Sequence, residues 1–373
     1  MVEMIQKYLK DEIELEYGKG LTRNQRKKGK IPVYGSNGIV DYNDKAYFKG
    51  PGIIIGRKGT VGSVNYEKND FWAIDTTYVV KLKNENEDNI FWYYFLQTLG
   101  LERMNSHSAV PGLNRDRVYN IKINIPKKQE DREKISKILR SFDEKIELNN
   151  YINKNLHELG ENIFKKIYEN GIDCKLSKLV SNISSGSRPK GGAESTGIPS
   201  IGAEKIEKFG VYNYTSEKYI SKDYFNKLKN GIVESGDVLL YKDGAYTGKV
   251  SMALNGFPYN KCAVNEHVFI IKTVDNWAKY YLYFTLYSKE NKNKIFNMAS
   301  SKAAQPGLNQ TELKNLDIKL AEKEEIIRFE KSVEPIMFKI AYNALQNKTL
   351  GQLRDTLLPK LMNGQIDLDN IEI

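Results

Sequence analysis

Pro111-Gly112-Leu113-Asn114 recurs far down the chain as Pro306-Gly307-Leu308-Asn309. Each copy leads into an Ile-rich strand and then a charged, amphipathic helical run. Outward from these tetrapeptides, further stretches match in the same order. Ile31-Pro32-Val33-Tyr34-Gly35 resembles Ile198-Pro199-Ser200-Ile201-Gly202. Gly56-Arg57-Lys58-Gly59-Thr60-Val61-Gly62 resembles Tyr241-Lys242-Asp243-Gly244-Ala245-Tyr246-Thr247-Gly248, and the run from Ala73 to Val80 resembles that from Ala263 to Ile270. The offset drifts, as insertions in surface loops make it. Two copies are too few for a solenoid, so the reading is a tandem duplication. Two similar halves present two similar surfaces, which suits a partner with its own two-fold symmetry, duplex DNA above all.

Within each copy the pattern is mostly β. Gly52-Ile53-Ile54-Ile55-Gly56 and Asp237-Val238-Leu239-Leu240-Tyr241 are short apolar runs bounded by Gly or Asp. Tyr78-Val79-Val80-Lys81-Leu82 and His267-Val268-Phe269-Ile270-Ile271 carry the β-branched and aromatic residues of strands. Residues 91–99 and 277–287 are dense in aromatics and lack Gly, which predicts buried helices. The fold class is α+β: two tandem domains of similar fold, joined by two long antiparallel α-helices that form a coiled-coil-like spacer. The expected boundaries are a first domain over 1–126, a helical region over 127–170, a second domain over 171–320 and a C-terminal helical region over 321–373.

For the first helical region, a short helix is expected over 130–140. Ser141-Phe142-Asp143-Glu144 has the spacing of a capping box, which predicts a new start there. The first long helix is then expected from Phe142 to about Tyr168, with Phe142, Ile152, Leu156, Leu159 and Ile163 as its apolar stripe and Lys145 and Asn149 interrupting it. Ser332-Val333-Glu334-Pro335 marks the equivalent start, since Pro is tolerated in a first turn. The second helix is expected to run to about Leu358, with Ile336, Ile340, Leu350, Leu353 and Leu357 on its apolar side. The two stripes are expected to bury against each other rather than each on its own domain.

At these helices the chain resembles the specificity subunits of type I restriction–modification systems. Asp143-Glu144-Lys145-Ile146-Glu147-Leu148-Asn149-Asn150, followed by Ile152-Asn153, is similar to the family's central conserved region. The tail Leu357-Leu358-Pro359-Lys360-Leu361-Met362-Asn363-Gly364-Gln365-Ile366 is similar to its C-terminal one. Ala341-Tyr342-Asn343-Ala344 offers no copy of the Ile146-to-Asn150 run. The resemblance implies two target-recognition domains that read a bipartite double-stranded DNA target. It implies that the conserved helices, including Phe142, Ile146, Ile152, Leu156, Leu159, Ile336, Ile340, Leu350, Leu353 and Leu357, dock two adenine methyltransferase subunits, which a motor-nuclease (restriction) subunit can join. S-adenosylmethionine, ATP and Mg then belong to those partners, and this chain binds no cofactor.

The residues themselves agree with a non-catalytic binder. The 373-residue chain has a formal net charge of +10, which raises affinity for nucleic acid. Its two cysteines, Cys174 and Cys262, have no ligand spacing and fit a reducing cytoplasm. No run is long enough to span a membrane, and the first ten residues lack the apolar core of a signal peptide. There is no dinucleotide fingerprint, Walker A loop or Pro-Pro-Tyr-type methyltransferase motif. Gly59-Thr60-Val61-Gly62-Ser63 lacks the Lys of a phosphate loop and reads as a tight turn. His107, His157 and His267 are isolated in sequence, and His157 reads as a surface or interface residue. No metal site is expected.

Base edges are read by Arg, Lys, Asn, Gln and hydroxyls, while Lys and backbone N–H groups hold phosphates. The DNA-facing candidates in the first domain are Gly35, Ser36, Asn37, Arg57, Lys58, Ser106, His107 and Arg115. In the second they are Ser185, Arg188, Lys190, Lys242, Tyr246, Thr247, Ser301, Lys302 and Gln305. Recurrence of Arg57-Lys58 and Lys242 at equivalent places singles out that loop. The basic run Arg23-Asn24-Gln25-Arg26-Lys27-Lys28 reads as a phosphate-contacting or free loop. The alternative reading is a non-enzymatic protein–protein scaffold with two β-rich modules and a coiled-coil clamp. A self-sufficient modification enzyme is a third, and it needs an S-adenosylmethionine site that the sequence does not display.

Overall fold

The structure, a computed structural model, describes residues 2–104, 112–244, 246–300 and 307–368. The chain divides into two compact units: unit 1 runs to Glu144 and resumes at Gly351, and unit 2 is Lys145–Leu350.

Unit 1 contains β1 (Met4–Tyr8), β2 (Ile13–Tyr17), β3 (Ile31–Gly35), β4 (Gly38–Asn43), β5 (Gly52–Gly56), β6 (Val64–Glu67), β7 (Trp72–Ala73), β8 (Thr77–Leu82) and β9 (Lys122–Pro126). They form a four-stranded sheet in the order β2-β8-β5-β6, a three-stranded sheet β4-β3-β7, and the pair β1-β9. The run over β5 is buried at every residue, as expected of a strand covered on both faces. The helix Asn89–Gln97 covers the four-stranded sheet with Phe91, Trp92, Tyr94, Phe95 and Leu96, and Asp88 starts it by accepting from the Ile90 N–H.

Unit 2 contains β10 (Ile172–Lys175), β11 (Val180–Ser185), β12 (Ile198–Ile201), β13 (Tyr219–Ile220), β14 (Val238–Tyr241), β15 (Val250–Met252), β16 (Ala263–Val264), β17 (Val268–Thr273) and β18 (Asp317–Leu320). Their orders, β11-β17-β14-β15, β13-β12-β16 and β10-β18, reproduce those of unit 1 strand for strand. The helix Lys279–Tyr287 stands where Asn89–Gln97 stands in unit 1, with residues 280–286 all buried. The duplication is therefore one of fold. The registers correct one alignment. Tyr34 pairs with Ala73 and Ile201 with Val264, so Ala73 corresponds to Val264, one residue beyond the Ala263 that sequence matching suggests.

Two helices of 40 residues each complete the fold, Gln129–Tyr168 and Lys323–Met362. Both are continuous, which corrects the expected restarts. The Ser141 hydroxyl donates back to the Ile138 carbonyl and that of Ser332 to the Arg328 carbonyl, so neither caps a new helix. The buried line also runs on without a break, through Ile135, Leu139 and Phe142 on the first helix and Phe329, Val333 and Met337 on the second. Pro335 consequently lies inside a helix, exposed to solvent.

The line along which the helices meet in unit 2 is also not the one expected. Ile152 and Leu156 are half-buried and Leu159 is exposed, whereas Asn149, Asn153 and His157 are buried. Asn149 Nδ2 donates to Asn347 Oδ1 at 2.8 Å and to Gln346 Oε1 at 2.8 Å, and Asn343 Nδ2 donates to Asn153 Oδ1 at 2.9 Å. Rising numbers on one helix meet falling numbers on the other, so the helices are antiparallel. In unit 1 the same sense holds, where Arg354 forms an ion pair with Asp143, which also accepts from the Tyr94 hydroxyl. Matching the helix starts Gln129 and Lys323 brings Asn149 onto Asn343 and Asn153 onto Asn347. Exchanging the helices therefore turns one asparagine bond into the other. The Ala341–Ala344 stretch does carry a counterpart of the central run, in its asparagine rather than its apolar residues.

The C-terminal apolar part of the first helix packs within unit 2 itself. Phe164 and Tyr168 lie against Tyr281, and Phe164 also against Phe284 and Phe329. Gly160 is small for a reason: an added Cβ would come within 2.8 Å of the Phe284 ring. His157 is buried and not on the surface, with Nε2 2.8 Å from the Tyr283 hydroxyl. Burial, seconded by Lys208 and Lys292, pulls its pKa down to about 3, so it is neutral at pH 7. Among the described residues no helix is long and apolar enough to cross a membrane.

Candidate functional site

The recurring tetrapeptide does the same mechanical work in both units. Leu113 donates its N–H to the Arg57 carbonyl at 2.8 Å, and Leu308 donates to the Lys242 carbonyl at 3.0 Å. Both leucines are buried. Asn114 and Asn309 then accept from the N–H groups of Arg117 and Glu312 and start short helices. From the other side, Arg57 donates its N–H to the Thr76 carbonyl at 2.8 Å, and Lys242 donates to the His267 carbonyl at 3.1 Å. Arg57 and Lys242 are thus pinned by main-chain bonds at equivalent points on the turn that leaves the central strand. The turn closes through Gly62 N–H to Gly56 O at 2.8 Å, and Gly248 N–H to Tyr241 O at 2.9 Å. Gly62 has φ +77 and Gly248 φ +95, a conformation that only glycine adopts without strain.

On this shared frame the two units carry different side chains. In unit 1, the Arg57 guanidinium lies over the Tyr17 ring at 5.1 Å and near that of Tyr78 at 5.8 Å. Arg115 lies over Tyr17 at 5.4 Å and near Tyr119 at 5.9 Å. One edge of Arg57, through Nε and Nη2, donates to the Asp75 carbonyl at 3.2 and 2.6 Å. Burial, then the hydrogen bond to Tyr17, pushes the Tyr78 hydroxyl up to about 12, so it stays protonated. Lys58 and Asn37 are exposed near this turn. Ser36 is nearly buried and donates to the Thr76 carbonyl at 2.8 Å, while its own carbonyl accepts from Ser63. Gly35 packs against Val40, which a Cβ would meet at 2.8 Å.

In unit 2 the equivalent place holds a chain of charged side chains linked through an imidazole. Lys242 reaches Asp243 at 2.6 Å, Asp243 lies 3.2 Å from His267 Nδ1, His267 Nε2 lies 3.3 Å from Glu266, and Glu266 pairs with Arg188 at 3.0 Å. Lys190 is exposed and Ser185 half-buried at the end of β11. Tyr246 is exposed, with the Lys249 ammonium 4.7 Å from its ring centre. Thr247 is buried and spends its hydroxyl on the Gly244 carbonyl at 2.7 Å. The structure thus brings Arg57, Lys58 and Arg115 to one turn in unit 1, and Arg188 and Lys242 into one chain of side-chain contacts through His267 in unit 2. Ser106, His107, Ser301, Lys302 and Gln305 lie outside the described residues. The basic run 23–28 is tied down at Arg26, which pairs with Asp41 at 3.1 Å, and at Lys27, whose N–H reaches Asn43 at 2.8 Å.

Sequence reasoning missed Tyr17, Asp243, Glu266 and His267 as members of these clusters. Tyr17 faces Tyr78 across the β2–β8 ladder. That pairing register was the signal that would have found it. Among the described residues, no group of three or more His, Cys, Asp or Glu side chains could hold a metal ion.

Of the helix residues, Ile340 is wholly buried in unit 2's own core. Ile146, Ile152, Leu156, Ile336 and Leu350 are half-buried in unit 2, and Phe142 and Leu357 half-buried in unit 1. Leu159 and Leu353 are exposed, and so are Leu148, Tyr151, Phe338 and Tyr342.

The chain matches the family model of the type I restriction modification DNA specificity domain over residues 1–158 and 180–349. It is 22% identical, over 354 residues, to the type I restriction enzyme MjaVIII specificity subunit of Methanocaldococcus jannaschii, covering 86% of this chain and 77% of that protein. It is also 22% identical, over 332 residues, to the type I restriction enzyme HindI specificity subunit of Haemophilus influenzae, covering 69% of this chain and 71% of that one. A solved type I restriction-modification system S subunit from M. genitalium superposes with a TM-score of 0.62 at 15% identity, covering 97% of this chain and 96% of that chain.

Proposed function

From the premise that this chain belongs to the type I restriction modification DNA specificity domain family, we propose that it reads a bipartite duplex DNA target, one half with each domain, and has no catalysis of its own. The observation that carries this reading is the common frame with unlike side chains. Two main-chain scaffolds hold equivalent turns, yet one offers guanidinium groups on tyrosine rings and the other a mixed ion-pair chain. Such an arrangement suits two half-sites of different sequence read by one mode of approach. Side-chain donors and acceptors at those turns read base edges, and neighbouring lysines neutralise phosphates.

The exposed apolar residues of the long helices, Leu148, Tyr151, Leu159, Phe338 and Tyr342, are the proposed docking surface for two adenine methyltransferase subunits. A restriction subunit joins the same assembly. S-adenosylmethionine, ATP and Mg act on those partners.

The test is methylome sequencing of the host with and without this chain. A two-part methylated motif that disappears with the chain is expected. Replacing residues 171–320 with the corresponding domain of a relative should change one half of the motif and leave the other. A change in both halves would overturn the modular reading. Pure chain incubated with DNA, Mg²⁺, ATP and S-adenosylmethionine should give neither methylated nor cut DNA, and reproducible turnover would refute the non-catalytic assignment.

A further inference from the structure

We propose that Arg57 reads a guanine through its free edge, with Tyr17 and Arg115 holding it in position; this inference rests on the DNA-reading function above. An isolated arginine on a loop carries much rotamer freedom, and fixing it on binding costs affinity. Arg57 has already lost that freedom. Its main chain is bonded on both sides, to Thr76 and Leu113. Its guanidinium plane lies over Tyr17, and one edge is spent on the Asp75 carbonyl. Among the described residues, Nη1 makes no hydrogen bond. The edge formed by Nη1 and the second hydrogen of Nη2 is a fork of two parallel donors. Guanine alone presents two acceptors, O6 and N7, on its major-groove edge, and the arginine fork matches them.

Tyr17 is half exposed, and its ring lies within cation–π reach of both Arg57 and Arg115. Two like charges would otherwise repel, and the ring that both approach offsets part of that cost. Unit 2 offers no such device at the matching positions. The ladders place Ser185 opposite Phe269 where unit 1 has Tyr17 opposite Tyr78. Lys242 stands for Arg57, and Gln310 for Arg115. At these matching positions, among the described residues, the device thus belongs to the first domain.

The experiment measures DNA binding by the assembled chain–methyltransferase complex on its own methylated motif, with 7-deazaguanine placed at each guanine in turn. That base lacks the N7 acceptor and is otherwise unchanged, so protein folding is not in question. One guanine, in the half-site that survives replacement of residues 171–320, should show binding weakened roughly tenfold. Arg57→Lys keeps the charge and loses the fork. It should abolish the sensitivity at that guanine and relax that one position of the motif, while the other half-site stays as it was. Tyr17→Leu should relax the same position. The assignment is overturned if no guanine of that half-site depends on N7. It is also overturned if Arg57→Lys lowers binding evenly at every sequence with the motif intact, which is the signature of a phosphate contact. A wild-type complex without any defined motif would instead sink the functional reading itself.

Discussion

Replacing Asn153 with Leu probes one of the buried amide contacts that join the long helices in unit 2. Asn153 Oδ1 accepts from Asn343 Nδ2 at 2.9 Å, and Asn153 Nδ2 donates to the Ile340 carbonyl at 3.2 Å. Asn343 is 1% exposed, and its own Oδ1 is buried without a partner. Asn153→Leu would leave the whole Asn343 amide unpaired away from water. A buried polar group stripped of its partner costs about 1–3 kcal/mol, so the single variant should lose about 2 kcal/mol of local stability. The Ile340 carbonyl adds little, because it retains a place in its own helix. Asn153→Leu with Asn343→Leu removes both amides and leaves two apolar side chains of similar shape. That pair should recover to within about 1 kcal/mol of the wild type. The expected coupling of about 2 kcal/mol exceeds the few tenths that separate independent sites. Hydrogen exchange across residues 145–160 and 335–350, as a function of urea, reads the local opening free energy. A double variant as unstable as the two singles added together would refute the reasoning. The doubly apolar seam should keep its register, because Asn149 still bonds to Asn347 and Gln346.

Because the pKa of His157 falls from 6.5 to about 3 on folding, the unfolded chain binds the proton first. Stability from this group is intact above pH 6.5 and is lost as the pH drops towards 3, by about 2 kcal/mol at pH 5. His157→Gln should flatten that limb in pH-dependent urea denaturation of unit 2, and an unchanged slope would refute it. Four residues inserted between Glu144 and Lys145 and four between Leu350 and Gly351, where the compact units divide, add about 6 Å of helical rise. With the helices acting as a spacer, the gap between methylated half-sites should grow by one or two base pairs while the half-sites stay the same. An active variant with an unchanged gap would rule out the spacer.

The strands and the duplication were legible because their signals are local. Apolar runs such as 52–56 are read without knowing their neighbours, and repetition confirms each one. The long helices were legible only in part. Helical periodicity counts apolar residues, yet the helices meet through Asn149, Asn153, Asn343 and Asn347, which that count treats as interruptions. Ser141 misled for a related reason. The spacing of a capping box is satisfied equally well by a serine that donates to its own preceding turn, and only the tertiary burial on either side tells the two apart. The Arg57–Tyr17–Arg115 cluster draws on three separate segments, so its members become neighbours only once the β2–β8 register is fixed.

In each unit the bonds that seat the turn after the central strand run from peptide group to peptide group. Leu113 holds Arg57 through its carbonyl and Leu308 holds Lys242 in the same way, and neither bond depends on which side chain projects from the held residue. Fold and identity are thereby decoupled at the positions where change matters most. Point mutation can rewrite what the turn displays without disturbing how it is held. The two halves are thus free to drift to unrelated vocabularies while keeping one grammar.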